Sequence, residues 1–197
     1  MVVEITLDSL GIDPERTPLP RYIAVEGPIG VGKTTLARRL ATTLGYRLML
    51  EMAEENPFLE RFYQNRKANA LPTQLYFLFQ RTRQQKEWSQ ADIFQPARVA
   101  DYLLEKDSLF AQVTLDVEEQ RLYQMVYDQL TTDVPSPDLV IYLQAPTDVL
   151  LERIRRRGAH SEHLIGADYL ALLNNAYADF FHYYDRAPLL IVNAAQI

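Results

Sequence analysis

Residues 27–34 read Gly27-Pro28-Ile29-Gly30-Val31-Gly32-Lys33-Thr34, a complete G-x-x-x-x-G-K-[ST] run. Residues of these types at this spacing are suited to holding a polyphosphate. The glycines let backbone N–H groups turn inward around it, Lys33 reaches the outer phosphates, and the Thr34 hydroxyl can hold Mg²⁺. Pro28, Ile29 and Val31 fill the variable positions and Thr35 follows, so Gly27 to Thr35 is the candidate cradle. The flanks supply the context the motif needs. Arg21-Tyr22-Ile23-Ala24-Val25-Glu26 is a short, mostly apolar β-type run, and Thr35 to Ala41 has helical spacing with Leu36 and Leu40 on one face. A helix that starts at the loop adds its partial positive charge to the cradle. These features imply a nucleoside triphosphate site.

Two further groups bear on what happens to the phosphate. Arg153, Arg155, Arg156 and Arg157 cluster late in the chain. Arg153 and Arg157 are four apart, hence on one helical face, and could clamp a transferring phosphoryl group. They could equally decorate a helix C-terminus, where positive charge is favourable. Gly158 ends that helix, and Ala159-His160-Ser161-Glu162-His163 reads as a mobile lid, which would exclude water and favour transfer over hydrolysis. His160 and His163 without a third ligand do not make a metal site. The acceptor side is acidic, with Glu51, Glu54 and Glu55 following the second strand candidate. Carboxylates repel a phosphate acceptor, whereas a neutral sugar hydroxyl needs a carboxylate base within hydrogen-bond reach. Glu51, at a strand end, is the candidate base; a solvated or helix-capping glutamate is its plainer reading.

The elements that must position these groups alternate. Strand candidates lie at 21–26, 47–51, 97–101, 138–143 and 188–193, and helical patterns at 33–44, 56–66, 72–90, 117–131, 147–157 and 167–184. Short apolar strands alternating with helices predict an α/β fold, a three-layer arrangement of a five-stranded parallel sheet flanked by helices. Ligands in such sheets sit at the carboxyl ends of the strands, which singles out Glu51, Asp101 and the loop after 143. Residues 1–19, with Pro14 and Pro18, read as a lead-in, and 20–197 as a single domain. The run Pro188 to Asn193 reads as a strand only four residues from the end of the sequence. A terminal helix would normally cover such a strand, so a truncated chain is expected.

Composition narrows the class. The 197 residues, 48% of them hydrophobic, suffice for one sizeable core. A net charge of −6 argues against nucleic acid as the main partner. Cysteine is absent, so there is no disulfide frame, which fits a cytoplasmic location. No apolar stretch approaches the roughly 18 residues of a membrane span, so no membrane partner is expected. No Asn-Lys-x-Asp guanine-reading segment and no transporter-type signature is present.

From about residue 21 onward the chain resembles the deoxynucleoside kinase family. Glu51-Met52-Ala53-Glu54 is similar to the family's Glu-Pro-Val-Glu segment, whose first glutamate acts as base on the 5′-hydroxyl. Tyr63 lies eleven residues before Gln74, the family's spacing between a tyrosine on the sugar 3′-hydroxyl and a glutamine that reads the base. Arg81 resembles an arginine that shapes the base pocket, and Phe110 an aromatic residue lining it. Arg153 to Gly158 is similar to the family's lid, and Glu162 falls where a lid glutamate meets the 3′-hydroxyl. Tyr177, Phe180 and Phe181, with Pro188 to Asn193, complete the match.

There are two departures. Many members carry Glu-Arg-Ser after the third strand, where this chain has Ala100-Asp101-Tyr102; Asp101 could take the Mg²⁺ side, and Lys106 is the nearest cation. Met52 stands in place of proline.

The resemblance implies phosphoryl transfer from ATP, with Mg²⁺, to the 5′-hydroxyl of a deoxynucleoside, purine by preference, by a homodimer. Lys33, Arg153 and Arg157 would stabilise the phosphoryl charge and Glu51 would take the proton. The alternatives are a monophosphate kinase resembling thymidylate kinase, and a nucleotide-dependent switch without an acceptor.

Overall fold

Short buried strands pair into one sheet in the computed structural model, which describes residues 19–90, 97–132, 134–158 and 164–196. Strand β1 (Tyr22–Glu26) leads through the glycine-rich loop into α1 (Lys33–Leu44), and β2 (Arg47–Met49) follows. A 3-10 turn (Ala53–Glu55), α2 (Leu59–Gln64) and the long α3 (Arg66–Gln90) come next. Strand β3 (Arg98–Ala100) precedes α4 (Lys106–Thr114) and α5 (Val117–Thr131), and β4 (Leu139–Gln144), α6 (Thr147–Arg157), α7 (Ala167–His182) and β5 (Leu189–Asn193) complete the order.

The sheet order is β2-β3-β1-β4-β5, and every pairing is parallel. Ala24 of β1 faces Ala100 of β3 on one side and Val140 of β4 on the other. All five residues of β1 and all three of β3 are buried, as a sheet covered on both faces requires. Helix α1 packs on β1, β2 and β3. Tyr177 and Phe181 of α7 stack on Tyr142 of β4, the Tyr142–Phe181 ring centroids lying 4.1 Å apart. With every strand parallel, the ends of β1, β2 and β3 open on the same edge, which brings the glycine-rich loop, Glu51 and Asp101 together.

Three elements differ from the sequence expectations. The helix expected from 72 begins at Arg66, with Pro72 in its second turn. Thr73 Oγ1 donates to Asn69 O at 2.7 Å beside that proline, which reads in sequence as a start signal. The helix expected over 56–66 is the shorter α2, closed at Asn65. Helix α4 has no counterpart in the expected pattern. It packs against α3, α5 and α7 and buries Lys106, Asp107, Leu109 and Ala111, so its sequence lacks a polar face to set a period. Among the described residues, no helix is long and apolar enough to cross a membrane.

Candidate functional site

The loop's glycines are dictated by what packs against them. Gly27 has φ 148°, and a Cβ there would lie 2.4 Å from the Leu143 carbonyl oxygen of β4. Gly30 has φ 85°, and its Cβ would lie 2.9 Å from the Leu150 carbonyl oxygen and 2.8 Å from Ile154 Cγ1, both on α6. Both positions therefore need glycine for backbone conformation and for close approach. The loop is thereby clamped between the end of β4 and α6. Lys33, in the first turn of α1, donates from Nζ to Gly27 O at 2.7 Å and Pro28 O at 3.2 Å. Burial lowers the pKa of its ammonium, the Glu26 carboxylate opposes this, and the charge of Lys106 adds to the lowering.

Asp101, the first residue beyond β3, joins the two halves of the site. Its Oδ2 accepts from Thr34 Oγ1 at 2.6 Å, and its Oδ1 accepts from the Glu51 backbone N–H at 2.7 Å. The Asp101 N–H in turn donates to Met49 O at 3.1 Å, which fixes the exit of β2. The hydroxyl and carboxylate oxygens expected to hold Mg²⁺ are thus adjacent. They are hard donors of the kind this ion takes, and such sites are completed by water and phosphate oxygens. Among the described residues there is no cluster of three or more His, Cys, Asp or Glu side chains that could hold a metal without such help.

Glu51 lies two residues beyond β2, held from both sides. Lys106 Nζ donates to its Oε2 at 2.9 Å, and Arg81 donates to its Oε1 from Nε at 2.8 Å and from Nη2. Burial pushes the Glu51 pKa up, but the charges of Arg81 and then Lys106 outweigh it and hold the carboxyl well below the usual range. Arg81 comes from α3 and also pairs through Nη1 with Asp107 of α4, with its guanidinium 4.7 Å from the Phe77 ring centroid. This buried lattice of alternating charges spans β2, α3 and α4.

These groups open into a cleft of about 680 Å³, within the range of small-molecule sites. Lys33, Thr34, Asp101, Glu51 and Lys106 line it, as do Tyr63, Gln74, Arg81 and Phe110. Gln74 is buried, with its Nε2 donating to Thr114 Oγ1 at 3.4 Å, and Phe110 meets Tyr177 edge to face at 6.1 Å. Glu54 and Glu55 line the same cleft.

The structure brings Arg157 to the lining but not Arg153. Arg153 donates to Val31 O at 3.3 Å, Ala194 O at 2.7 Å and Ala195 O at 3.4 Å, tying α6 to the glycine-rich loop and to the residues after β5. Glu162 and the rest of the expected lid, 159–163, lie outside the described residues, as does the expected lead-in up to residue 18.

Two residues of the site had no place in the sequence reading, and a third had no position. Glu26 is fully buried; its Oε1 accepts from Gly27 N at 2.8 Å and Tyr177 Oη at 3.0 Å, and its Oε2 from Leu103 N at 2.7 Å. The available signal was a lone acid closing an apolar run just before the loop. Asp107 and Lys106 were hidden with α4, whose charged start gives no hint of burial.

A family model described as deoxynucleoside kinase matches residues 23–196. The deoxyguanosine kinase of Bacillus subtilis is 39% identical over 160 residues, 79% of this chain and 76% of that protein. A deoxyadenosine/deoxycytidine kinase of the same organism is 30% identical, covering 88% of this chain and 82% of the relative. Among solved structures, deoxyadenosine kinase from M. mycoides with bound dATP superposes with a TM-score of 0.78 at 32% identity, over 88% of this chain and 90% of that one.

Proposed function

The chain belongs to the deoxynucleoside kinase family and is a phosphotransferase acting on a deoxynucleoside, and from that premise we propose that it moves the γ-phosphoryl group of ATP to the 5′-hydroxyl of a purine deoxynucleoside. The observation that carries this reading is Glu51, an ionised carboxylate lining the cleft into which the phosphate loop opens. In this reading Lys33 and the N-terminus of α1 hold the outer phosphates, and Arg157 approaches them from α6. Thr34 and Asp101 would hold Mg²⁺, which would supply charge neutralisation on the phosphates. Glu51 orients the 5′-hydroxyl and receives its proton. Tyr63, with Glu162 of the lid, holds the sugar, while Gln74, Arg81 and Phe110 form the base pocket. Arg153 acts as a strut for the loop. Alignment of hydroxyl and phosphate in one cleft supplies much of the rate, on the order of 7–11 kcal/mol in the best intramolecular cases.

Support for a purine comes from a relative named deoxyguanosine kinase and a solved structure named deoxyadenosine kinase. Residues 20–197 act as one domain in this account. The active form is a homodimer: α3 and α5 pack on each other and expose large apolar side chains, Phe79 on α3 and Leu122 and Met125 on α5, suited to a second copy.

The test is kcat/KM for the four deoxynucleosides with ATP and Mg²⁺, repeated with excess chelator. Deoxyguanosine or deoxyadenosine is expected to exceed both pyrimidines by about tenfold or more, the discrimination that a few pocket contacts provide. Preference for a pyrimidine would overturn the base assignment, and turnover undiminished by chelator would overturn the metal assignment.

A further inference from the structure

We propose that Lys106 is a second cation for the phosphoryl group during transfer, held in place by Glu26. The proposal rests on the kinase reading of the cleft and assigns to that reaction a residue outside the glycine-rich motif.

The two cations on Glu51 occupy different sides of it. Arg81 takes Oε1 and also pairs with Asp107, with its guanidinium over the Phe77 ring. Lys106 takes Oε2 and lies 3.9 Å from Glu26 Oε2, and Glu26 leads directly into Gly27. Lys106 is therefore the cation on the loop side of the base. A phosphoryl group leaving the loop for a hydroxyl held by Glu51 must pass between Lys33 and Glu51, and Lys106 borders that path.

The donor arithmetic agrees. An ammonium has three N–H donors. Among the described residues only Glu51 Oε2 lies within hydrogen-bond distance of Lys106 Nζ, and Lys106 is among the residues lining the cleft although it is 3% exposed. Two donors remain for phosphoryl oxygens. Glu26 is built as a rigid anchor, its carboxylate fixed by Gly27 N, Leu103 N and Tyr177 Oη from three separate segments. It thus sets the start of α4, and with it Lys106, relative to the loop. In the reaction, the bond from the γ-phosphorus to the bridging oxygen of ADP breaks as the bond to O5′ forms. The hydroxyl proton goes to Glu51, and Lys106 remains an ammonium throughout. Its role is to offset charge on the equatorial oxygens.

The test compares Lys106→Gln with wild type, using titration calorimetry without ATP on a deoxynucleoside and on its 5′-monophosphate. The amide can still donate to Glu51 but carries no charge. The variant is expected to lose about 30-fold or more in affinity for the monophosphate and at most about threefold for the nucleoside. Its kcat should fall by about 10²-fold with little change in KM, the scale of losing one preorganised charge-stabilising donor. Lys106→Met, whose stem fills similar space, carries the same comparison if the glutamine variant does not fold, and Lys106→Arg should recover monophosphate affinity. A Lys106 that is only a counter-ion for Glu51 would lower both affinities together or neither, and either result overturns the proposal. Failure of the wild-type protein to bind the nucleoside at all would instead overturn the kinase reading beneath it.

Discussion

Glu51 keeps its charge because Arg81 and Lys106 share it, and this shapes what it can do. A carboxylate held so far below its usual pKa is a weak base in the ground state. It suits a loose phosphoryl transfer, in which the hydroxyl proton departs late, after the bond to the leaving group has largely broken. Glu51→Gln, which keeps shape and hydrogen-bonding capacity, is expected to lower kcat by about 10²-fold or more while ATP affinity stays within about threefold. Glu51→Ala should in addition lower stability by about 3–5 kcal/mol, because two buried cations lose their shared partner. Thermal melts of the two variants against wild type check this. The pH dependence follows from the sign of the shift. The folded pKa lies below the ordinary value of 4.5, so the Glu51 contribution is complete above that value and is lost as pH falls below it. The melting gap between wild type and Glu51→Gln should therefore be constant from pH 8 to about 5 and shrink below about 4. A gap that changes most between pH 6 and 8 would contradict the geometry. At this scale the sequence was legible where a residue type met a strand end: Glu51 and Asp101 were both found that way. Glu26 and Asp107 were not, because burial of an acid depends on donors that arrive from distant segments.

Elements decide which residues meet, and α4 shows where sequence reading runs out. The strands were visible as apolar runs because a doubly covered parallel sheet buries every residue of β1 and β3. Amphipathic helices such as α5 and α6 were visible by their period. Helix α4 touches three other helices and buries Lys106 and Asp107 along with Leu109 and Ala111, so polar and apolar residues do not separate by face and no period survives. Its loss from the sequence reading took Lys106 out of the site, although the residue itself was noticed. The outer surface of α5 carries a separate expectation. If its exposed Leu122 and Met125 meet a second copy, Leu122→Glu with Met125→Glu should convert a dimer to a monomer in sedimentation analysis without unfolding it. A wild-type monomer at micromolar concentration would contradict that assignment.

In the whole molecule, the parallel sheet gathers onto one edge the phosphate loop after β1, the candidate base Glu51 beyond β2 and the proposed Mg²⁺-side carboxylate Asp101 beyond β3. The class of chemistry was readable before any geometry, because the glycine-rich loop and the acidic segment after β2 belong to the same sheet edge in any such fold. The division of labour among the arginines was not, since Arg153 and Arg157 share a helical face in sequence and only packing sends one to the backbone behind the loop and the other to the cleft. The central claim is that the cleft's acceptor is a neutral 5′-hydroxyl, because the carboxylates Glu51, Glu54 and Glu55 line it and repel a phosphate acceptor. The most direct measurement is ATP consumption, with product identification, using deoxyguanosine, deoxyadenosine and their 5′-monophosphates side by side. The account predicts turnover with a nucleoside, yielding its 5′-monophosphate and ADP, and no turnover with the monophosphates. Turnover confined to the monophosphates, yielding diphosphates, would contradict it.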